Sequence, residues 1–270
     1  MDSPRAQITG LVVTYNDAEF LPRCLGSLTF CDELLVVDVG SNDASTQIAR
    51  EYGARVIEME HVPFAEKVHA RAAALTKHEW VLLADPDMEY PEWMAERLPR
   101  MLAQYEDQGL AMVILPMITY SEHGPFNYGR KGGVRGRAAV FHRHRVEIPG
   151  YLHYRGFEAK EGFLTLGLVS PPIDGVRHYS YHGLGDLIRK SERYLRYEAE
   201  SRHGIGQRFS WQGMWLEIYR KLADDVRKQA YRSPTALLLM IYQVVNIIRA
   251  NFSLKRYERQ LTSDSSPEDA

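Results

Sequence analysis

Cysteine is scarce in this chain: two residues, Cys24 and Cys31, in 270. Two thiols at that spacing make neither a disulfide framework nor a four-ligand metal cluster. Both lie among apolar residues, which suits reduced, buried thiols. The opening residues, MDSPRAQITG, lack the basic and apolar regions of a secretory leader. The longest apolar stretch, residues 236–248, is 13 residues long and contains Gln243 and Asn246. That falls short of the ~20 residues a membrane span needs. A cytoplasmic protein is therefore expected, one that could sit peripherally on the inner membrane face. Glycine-rich nucleotide loops are missing too. The first apolar segment runs into TYNDAEF, so neither the dinucleotide fingerprint nor the phosphate-loop spacing is met. Any phosphate must be held by a metal or by cations.

Charge is balanced overall and uneven locally. The net is −2, made of −6 over residues 1–185, +7 over 186–260 and −3 over the last ten. A basic excess confined to one region, with no recognition motif, argues against nucleic acid. It leaves an anionic substrate, a membrane surface or a solvated helical face.

Residues 8–13, 34–38, 55–59, 80–84 and 112–118 read as strands. Residues 19–28, 42–52, 64–75 and 91–104 read as intervening helices. Such alternation predicts a mainly parallel, doubly wound α/β sheet. Residues 121–136 read as a glycine-rich loop, 138–142 as a strand, and 147–177 as short strands and loops. Helices are expected again from residue 184, including 210–227 and 234–250. This gives a domain over 1–183, with a donor half to about 120 and an acceptor half beyond it. A helical extension over 184–260 and a disordered tail over 261–270 follow.

Three polar clusters fall at the carboxyl ends of the expected strands, where open α/β sheets bind their ligands. They are Thr14-Tyr15-Asn16-Asp17, Asp38 to Asp43, and Asp85-Pro86-Asp87. Asp85 and Asp87 would repel each other unless a cation lies between them. Hard divalent ions take oxygen ligands and bridge to phosphates. Lys67 and Arg71 share a helix face at i, i+4 and, with Arg135 and Arg137, could meet phosphate charge. For Asp38 a turn role and for Asp43 a helix-capping role compete with ligand contact.

The segments VVTYNDAEFLPRCLGSL (12–28), VVDVGSNDASTQIAREYGARV (36–56) and WVLLADPDMEYPEWM (80–94) resemble those of the glycosyltransferase family 2 enzymes of the GT-A fold. Within that family the lipopolysaccharide-core glucosyltransferases look nearest, on the stretch Arg177-His178-Tyr179-Ser180-Tyr181-His182 before Lys190 and Tyr194. The resemblance implies a GT-A nucleotide-diphospho-sugar transferase fold and metal-dependent, inverting transfer from a donor such as a UDP-sugar. The acceptor would be a glycan, a lipid-linked glycan or another hydroxyl in cell-envelope synthesis. Thr14, Tyr15, Asn16 and Asp38 would contact the nucleoside, with Asp17 or Asp43 assisting and Arg71 on the helix that closes over the nucleotide. Asp85 would lie nearest the ribose, Asp87 would bind Mg2+ or Mn2+, and His178 is a further metal candidate.

Inverting transfer needs a general base opposite the leaving group. Such relatives carry a Val-His-Glu element, but this chain reads Leu152-His153-Tyr154. Glu158, Glu161 and His153 are the remaining candidates, Glu158 first. Two other classes stay open. A haloacid-dehalogenase-type phosphatase also uses Asp-x-Asp, with the first carboxylate as nucleophile, yet Glu89 stands where such enzymes place threonine. A non-catalytic nucleotide-sugar or glycan-binding module is the third. The C-terminal helices could be buried, pair two copies, or lie on a membrane.

Overall fold

The structure is a computed structural model that describes residues 4–121, 124–125, 134–150, 157–168, 174–181, 184–227, 231 and 234–264. The elements in chain order are β1 (Ile8–Thr14), α1 (Leu21–Ser27), β2 (Glu33–Asp38), α2 (Ser45–Glu51), β3 (Arg55–Glu58), α3 (Glu66–Ala74), β4 (Trp80–Ala84) and β5 (Met88–Glu89). Then come α4 (Glu92–Gln104), β6 (Leu110–Ser121), β7 (Gly124–Pro125), β8 (Val134–His142), β9 (Val146–Glu147), β10 (Glu158–Ala159), β11 (Leu164–Gly167) and β12 (Val176–Tyr181). Three helices close the chain: α5 (Leu184–Gly204), α6 (Trp211–Arg227) and α7 (Pro234–Asp264).

The sheet runs β3-β2-β1-β4-β8-β6-β12-β5. β1 through β4 are mutually parallel in that order. β8 is antiparallel to both β4 and β6, so the sheet is mixed and mainly parallel. β1 and β4, and β2 between its terminal carboxylates, are largely apolar because both faces are covered. In β1, Ile8 and Val12 enter one core with α1 and α4, while Leu11 and Val13 enter a second with α3. In β4, Trp80, Leu82 and Ala84 face the first core and Val81 and Leu83 the second.

The chain divides into two compact units. One comprises residues 1–120, 134–150 and 155–180; the other comprises 121–133, 151–154 and 181–270. In the second, α7 packs along α5 and α6. It holds a part-buried polar network: the Arg202 guanidinium donates to Glu198 and Glu217, and Asn251 also donates to Glu217, at 3.0–3.2 Å.

Several boundaries differ from expectation for local reasons. α2 starts at Ser45 rather than 42 because the Asn42 amide is held by the Asn16 side chain and Asp43 closes on the Ser45 amide. α7 continues to Asp264, past the apolar run that ended near residue 250. The sequence LKRYERQ is rich in helix formers and needs no apolar stripe to extend the helix. Part of the expected 121–136 loop is strand: β8 begins at Val134 and pairs with Ile118 of β6.

Candidate metal and nucleotide site

β4 ends at Ala84, and the chain turns at once. The Met88 amide donates to the Asp85 carbonyl at 3.0 Å, closing a β-turn with Pro86 at its second position, where its fixed φ fits. The turn leaves Asp85 and Asp87 side by side. β5 follows and pairs antiparallel with β12, His178 opposite Met88 and Arg177 opposite Glu89. The Tyr179 amide donates to the Asp87 carbonyl at 2.8 Å. This two-residue strand was not expected from sequence. It is what carries the His178 imidazole to 3.3 Å from the Asp87 carboxylate. One ligand atom each from Asp85, Asp87 and His178 lies within 4.8 Å of the others.

Asp85 has a resident cation. Arg137, on β8, reaches its carboxylate at 2.8 Å. Burial opposes the charged form of Asp85, but the guanidinium, with His178 and His69 nearby, outweighs it and holds the carboxyl below its ordinary value. His69 is half-buried on α3. Burial lowers its basicity, against the opposing pull of Asp85. His69 escaped sequence reasoning, which looked to Lys67 and Arg71 on the same helix. Those two are exposed, and two positions from His69 on a helix means roughly the opposite side. The Lys67 ammonium lies 5.3 Å from the Phe64 ring. A second cluster also went unread: Glu89 accepts from Arg177 at 3.0 Å and from the Tyr179 hydroxyl at 2.7 Å, with the Arg23 guanidinium 4.1 Å above the Tyr179 ring. Its signal was the alternation of Arg177 and Tyr179 about His178.

The β1 and β2 loops are laced together beside this turn. Asn16 adopts φ 57°, a left-handed conformation that asparagine tolerates better than most residues. Its amide donates to Ser41 Oγ, and its side chain accepts the Asn42 amide. Asp17 accepts from Thr14 Oγ1 at 3.0 Å and the Tyr15 amide at 2.9 Å. Burial raises the Asp17 carboxyl despite those bonds, with Asp87 and Asp43 adding to the rise. Asp43 spends both oxygens on backbone amides, Ser45 and Ala18. Asp38 is 3% exposed. Its Oδ2 accepts the Gly40 and Ser41 amides at 3.1 and 3.0 Å, whereas its buried Oδ1 has no partner among the described residues. Tyr15 is exposed and its ring lies 4.4 Å from that of His61.

Glu158 is exposed on β10, opposite Glu147 of β9, and Glu161 is exposed in the following turn. His153 and the Arg135 side chain lie outside the described residues.

The donor set suits a hard divalent ion. Two carboxylates and one imidazole accommodate Mn2+ well, and Mg2+ through the oxygens. The buried Oδ1 of Asp38, unpartnered among the described residues, adds an unfilled acceptor on the same sheet edge.

Residues 11–163 match the model of glycosyl transferase family 2. The chain belongs to that family. A TPR repeat-containing protein of Synechococcus elongatus is 27% identical over 65% of this chain, which spans only 43% of that relative. A lipopolysaccharide core biosynthesis glycosyltransferase of Rhizobium meliloti is 24% identical over 76% of this chain and 75% of its own length. The solved structure of a mannosyltransferase of Pyrobaculum calidifontis, in complex with GDP-Man and Mn2+, shares the fold at TM-score 0.59. It is 14% identical and covers 93% of this chain and 87% of its own. The fold is thus the GT-A type, with C-terminal helices. Family membership sets the phosphatase reading aside, and so does the local geometry: an Asp85 bound by Arg137 is a poor nucleophile.

Proposed function

We propose that this family 2 protein transfers a sugar, with inversion, from a nucleotide-diphospho-sugar to a hydroxyl acceptor. The convergence of Asp85, Asp87 and His178 within 4.8 Å, on the edge that also carries the open Asp38 oxygen, supports this best. Asp87 and His178 would hold Mn2+ or Mg2+, with Asp85 assisting and contacting the ribose. When bound, such an ion supplies Lewis-acid stabilisation of a leaving diphosphate.

The chain's own residues do the rest. Asp38 Oδ1 accepts an imide N–H of the base, which uracil offers at N3, so a UDP-sugar is the first donor to test. Tyr15 offers an aromatic face to that base, and Thr14, Asn16, Asp17 and Asp43 hold the loops that frame it. Arg137 keeps Asp85 ionised and aimed and supplies positive charge for phosphate, with Arg135 on the same strand; Lys67 and Arg71, exposed on the other side of α3 from His69, are left out of the site. Residues 1–183 form the transferase domain in this reading. The acceptor side, including a base drawn from Glu158, Glu161 or His153, comes from residues beyond 120. Acceptors in cell-envelope polysaccharide or lipopolysaccharide synthesis, on the cytoplasmic side, are favoured by the relative named for lipopolysaccharide core biosynthesis.

Thermal-shift titration with UDP-, GDP- and dTDP-sugars, with and without Mn2+, tests the donor half. A bound donor raises apparent stability by mass action, so one nucleotide should stand out and need the metal. No metal-dependent shift with any of them sinks the proposal. Binding without turnover on a broad acceptor panel, and unchanged by Glu158→Gln, would instead favour a binding module.

A further inference from the structure

We infer that α6 and α7 form a docking surface for an anionic lipid bilayer. α6 turns Met214, Ile218 and Asp225 inward. Trp211, Trp215, Tyr219 and Val226, spaced along one helical stripe, are 52–69% exposed. α7 presents a matching stripe: Leu238, Ile241, Val245 and Phe252 are 44–54% exposed. The stripes meet where the Trp211 and Phe252 rings pack edge-on, 5.7 Å apart. The stripes join at that contact, and so many exposed tryptophan, tyrosine and aliphatic side chains on two touching helices are more than a soluble monomer usually leaves uncovered.

Charge identifies the occupant. Most acids of this region are already paired: Glu217 with Arg202 and Asn251, Asp225 with Lys221, Asp224 with Arg227, and Glu258 with the Phe209 amide. The bases stay at the surface. Arg220, Arg256 and Arg259 are exposed, and the Lys255 ammonium sits 4.8 Å from both the Phe209 and Trp211 rings. Apolar side chains with tryptophan and tyrosine among them, rimmed by lysine and arginine, match the boundary between acyl chains and anionic headgroups. A second copy fits poorly, because a two-fold contact would set these cations against themselves. Crossing the membrane fits poorly as well. By composition α7 is long and apolar enough, but Asn246 bonds Ser191 and Arg249 pairs with Glu192 of α5 at 2.6 Å. A spanning α7 would drag those polar partners into hydrocarbon.

The test is co-sedimentation of the full chain with vesicles of phosphatidylcholine alone or with about one third phosphatidylglycerol; binding should be at least ~10-fold stronger to the anionic vesicles and reversed by ~0.5 M salt. The double variants Trp215→Ser/Tyr219→Ser and Arg256→Glu/Arg259→Glu should each lose about tenfold in vesicle binding, with unchanged thermal midpoints. Three results overturn the inference: no binding of the folded chain to anionic vesicles, binding that survives alkaline carbonate, or a solution dimer that Trp215→Ser dissociates. None depends on the donor or on turnover, so this inference and the transferase proposal fail separately.

Discussion

β2 begins and ends in a buried carboxylate, and the two are treated differently. At its start Glu33, with a side chain 3% exposed, has every oxygen occupied. Arg55 donates twice to Oε1, at 3.0 and 2.7 Å, while Thr9 and the Lys77 amide donate to Oε2 at 2.8 and 2.7 Å. At its end Asp38 is equally buried, yet only Oδ2 is satisfied. The same contrast runs across the sheet. At the opening of β4 the Trp80 indole donates to Glu106, which Arg145 also binds; beyond its end Asp85 and Asp87 crowd each other. Buried polar groups left open cost free energy. Asp38 Oδ1 is the carboxylate oxygen of this comparison that stays unpartnered among the described residues, which is what the proposed donor site requires.

The largest effect expected from breaking that contrast is at Asp87. Asp87→Ala should lower metal-dependent turnover by about three orders of magnitude and abolish high-affinity Mn2+ binding, read by calorimetry. Stability should hold or rise, because the variant removes a negative charge that acts on Asp17. A folded variant that turns over at near-normal rate would exclude Asp87 from the site.

Glu33 should behave in the opposite manner. Glu33→Gln removes the charge that Arg55 needs, and should cost about 2–3 kcal/mol in urea unfolding, with kcat and KM within about twofold. The pH dependence has a definite sign. Burial raises the Glu33 carboxyl, but the Lys77 amide, Arg55 and Thr9 win and hold it below its ordinary value. The folded protein therefore binds this proton less readily than the unfolded chain does. The stabilisation is complete above the unfolded value of about 4.3 and is lost as pH falls through the lowered one. The stability gap between wild type and variant should narrow in acid. A gap that stays constant to about pH 2 would place the acid sensitivity elsewhere.

Asp38→Asn comes next. The amide can turn its oxygen to Gly40 and Ser41, which leaves N–H groups where an acceptor stood. UDP affinity should fall about 10- to 30-fold, with little change in thermal midpoint. Unaltered UDP affinity would remove Asp38 from base recognition.

The difference between the two edges was only half legible in the sequence. Trp80–Ala84 reads as a strand because its residues are apolar on both faces, and the structure has the same bounds. The carboxylates beyond it were legible as a cluster for that reason. Glu33 was not: it precedes an apolar run, and nothing local shows that Arg55 and Lys77 will close on it. His178 was legible as a candidate but not as a neighbour of Asp87, since β5 is too short to leave a periodic signal. His69 was hidden by Lys67 and Arg71, whose i, i+4 spacing draws attention to the exposed side of α3. What periodicity reports is burial; pairings between segments distant in sequence leave no period.

Asp43 sharpens the comparison at the smallest scale. It sits on the ligand edge, a few residues beyond Asp38, and sequence alone ranks it as a nucleotide contact or a cap. Its two oxygens accept the Ser45 and Ala18 amides at 2.9 and 3.0 Å. Those bonds outweigh burial and keep its carboxyl below the ordinary value. Asp43 is thus finished in the way Glu33 is, although it lies beside Asp38. Asp43→Ala should cost about 1 kcal/mol of stability, the usual net loss when a carboxylate that accepts backbone amides is removed. UDP affinity should change by no more than about threefold, because Asn16 and Ser41 still tie the β1 and β2 loops together. A tenfold or greater loss of UDP affinity without loss of stability would make Asp43 a nucleotide ligand, and the division between satisfied and waiting carboxylates would then follow the sheet edge rather than the individual oxygen.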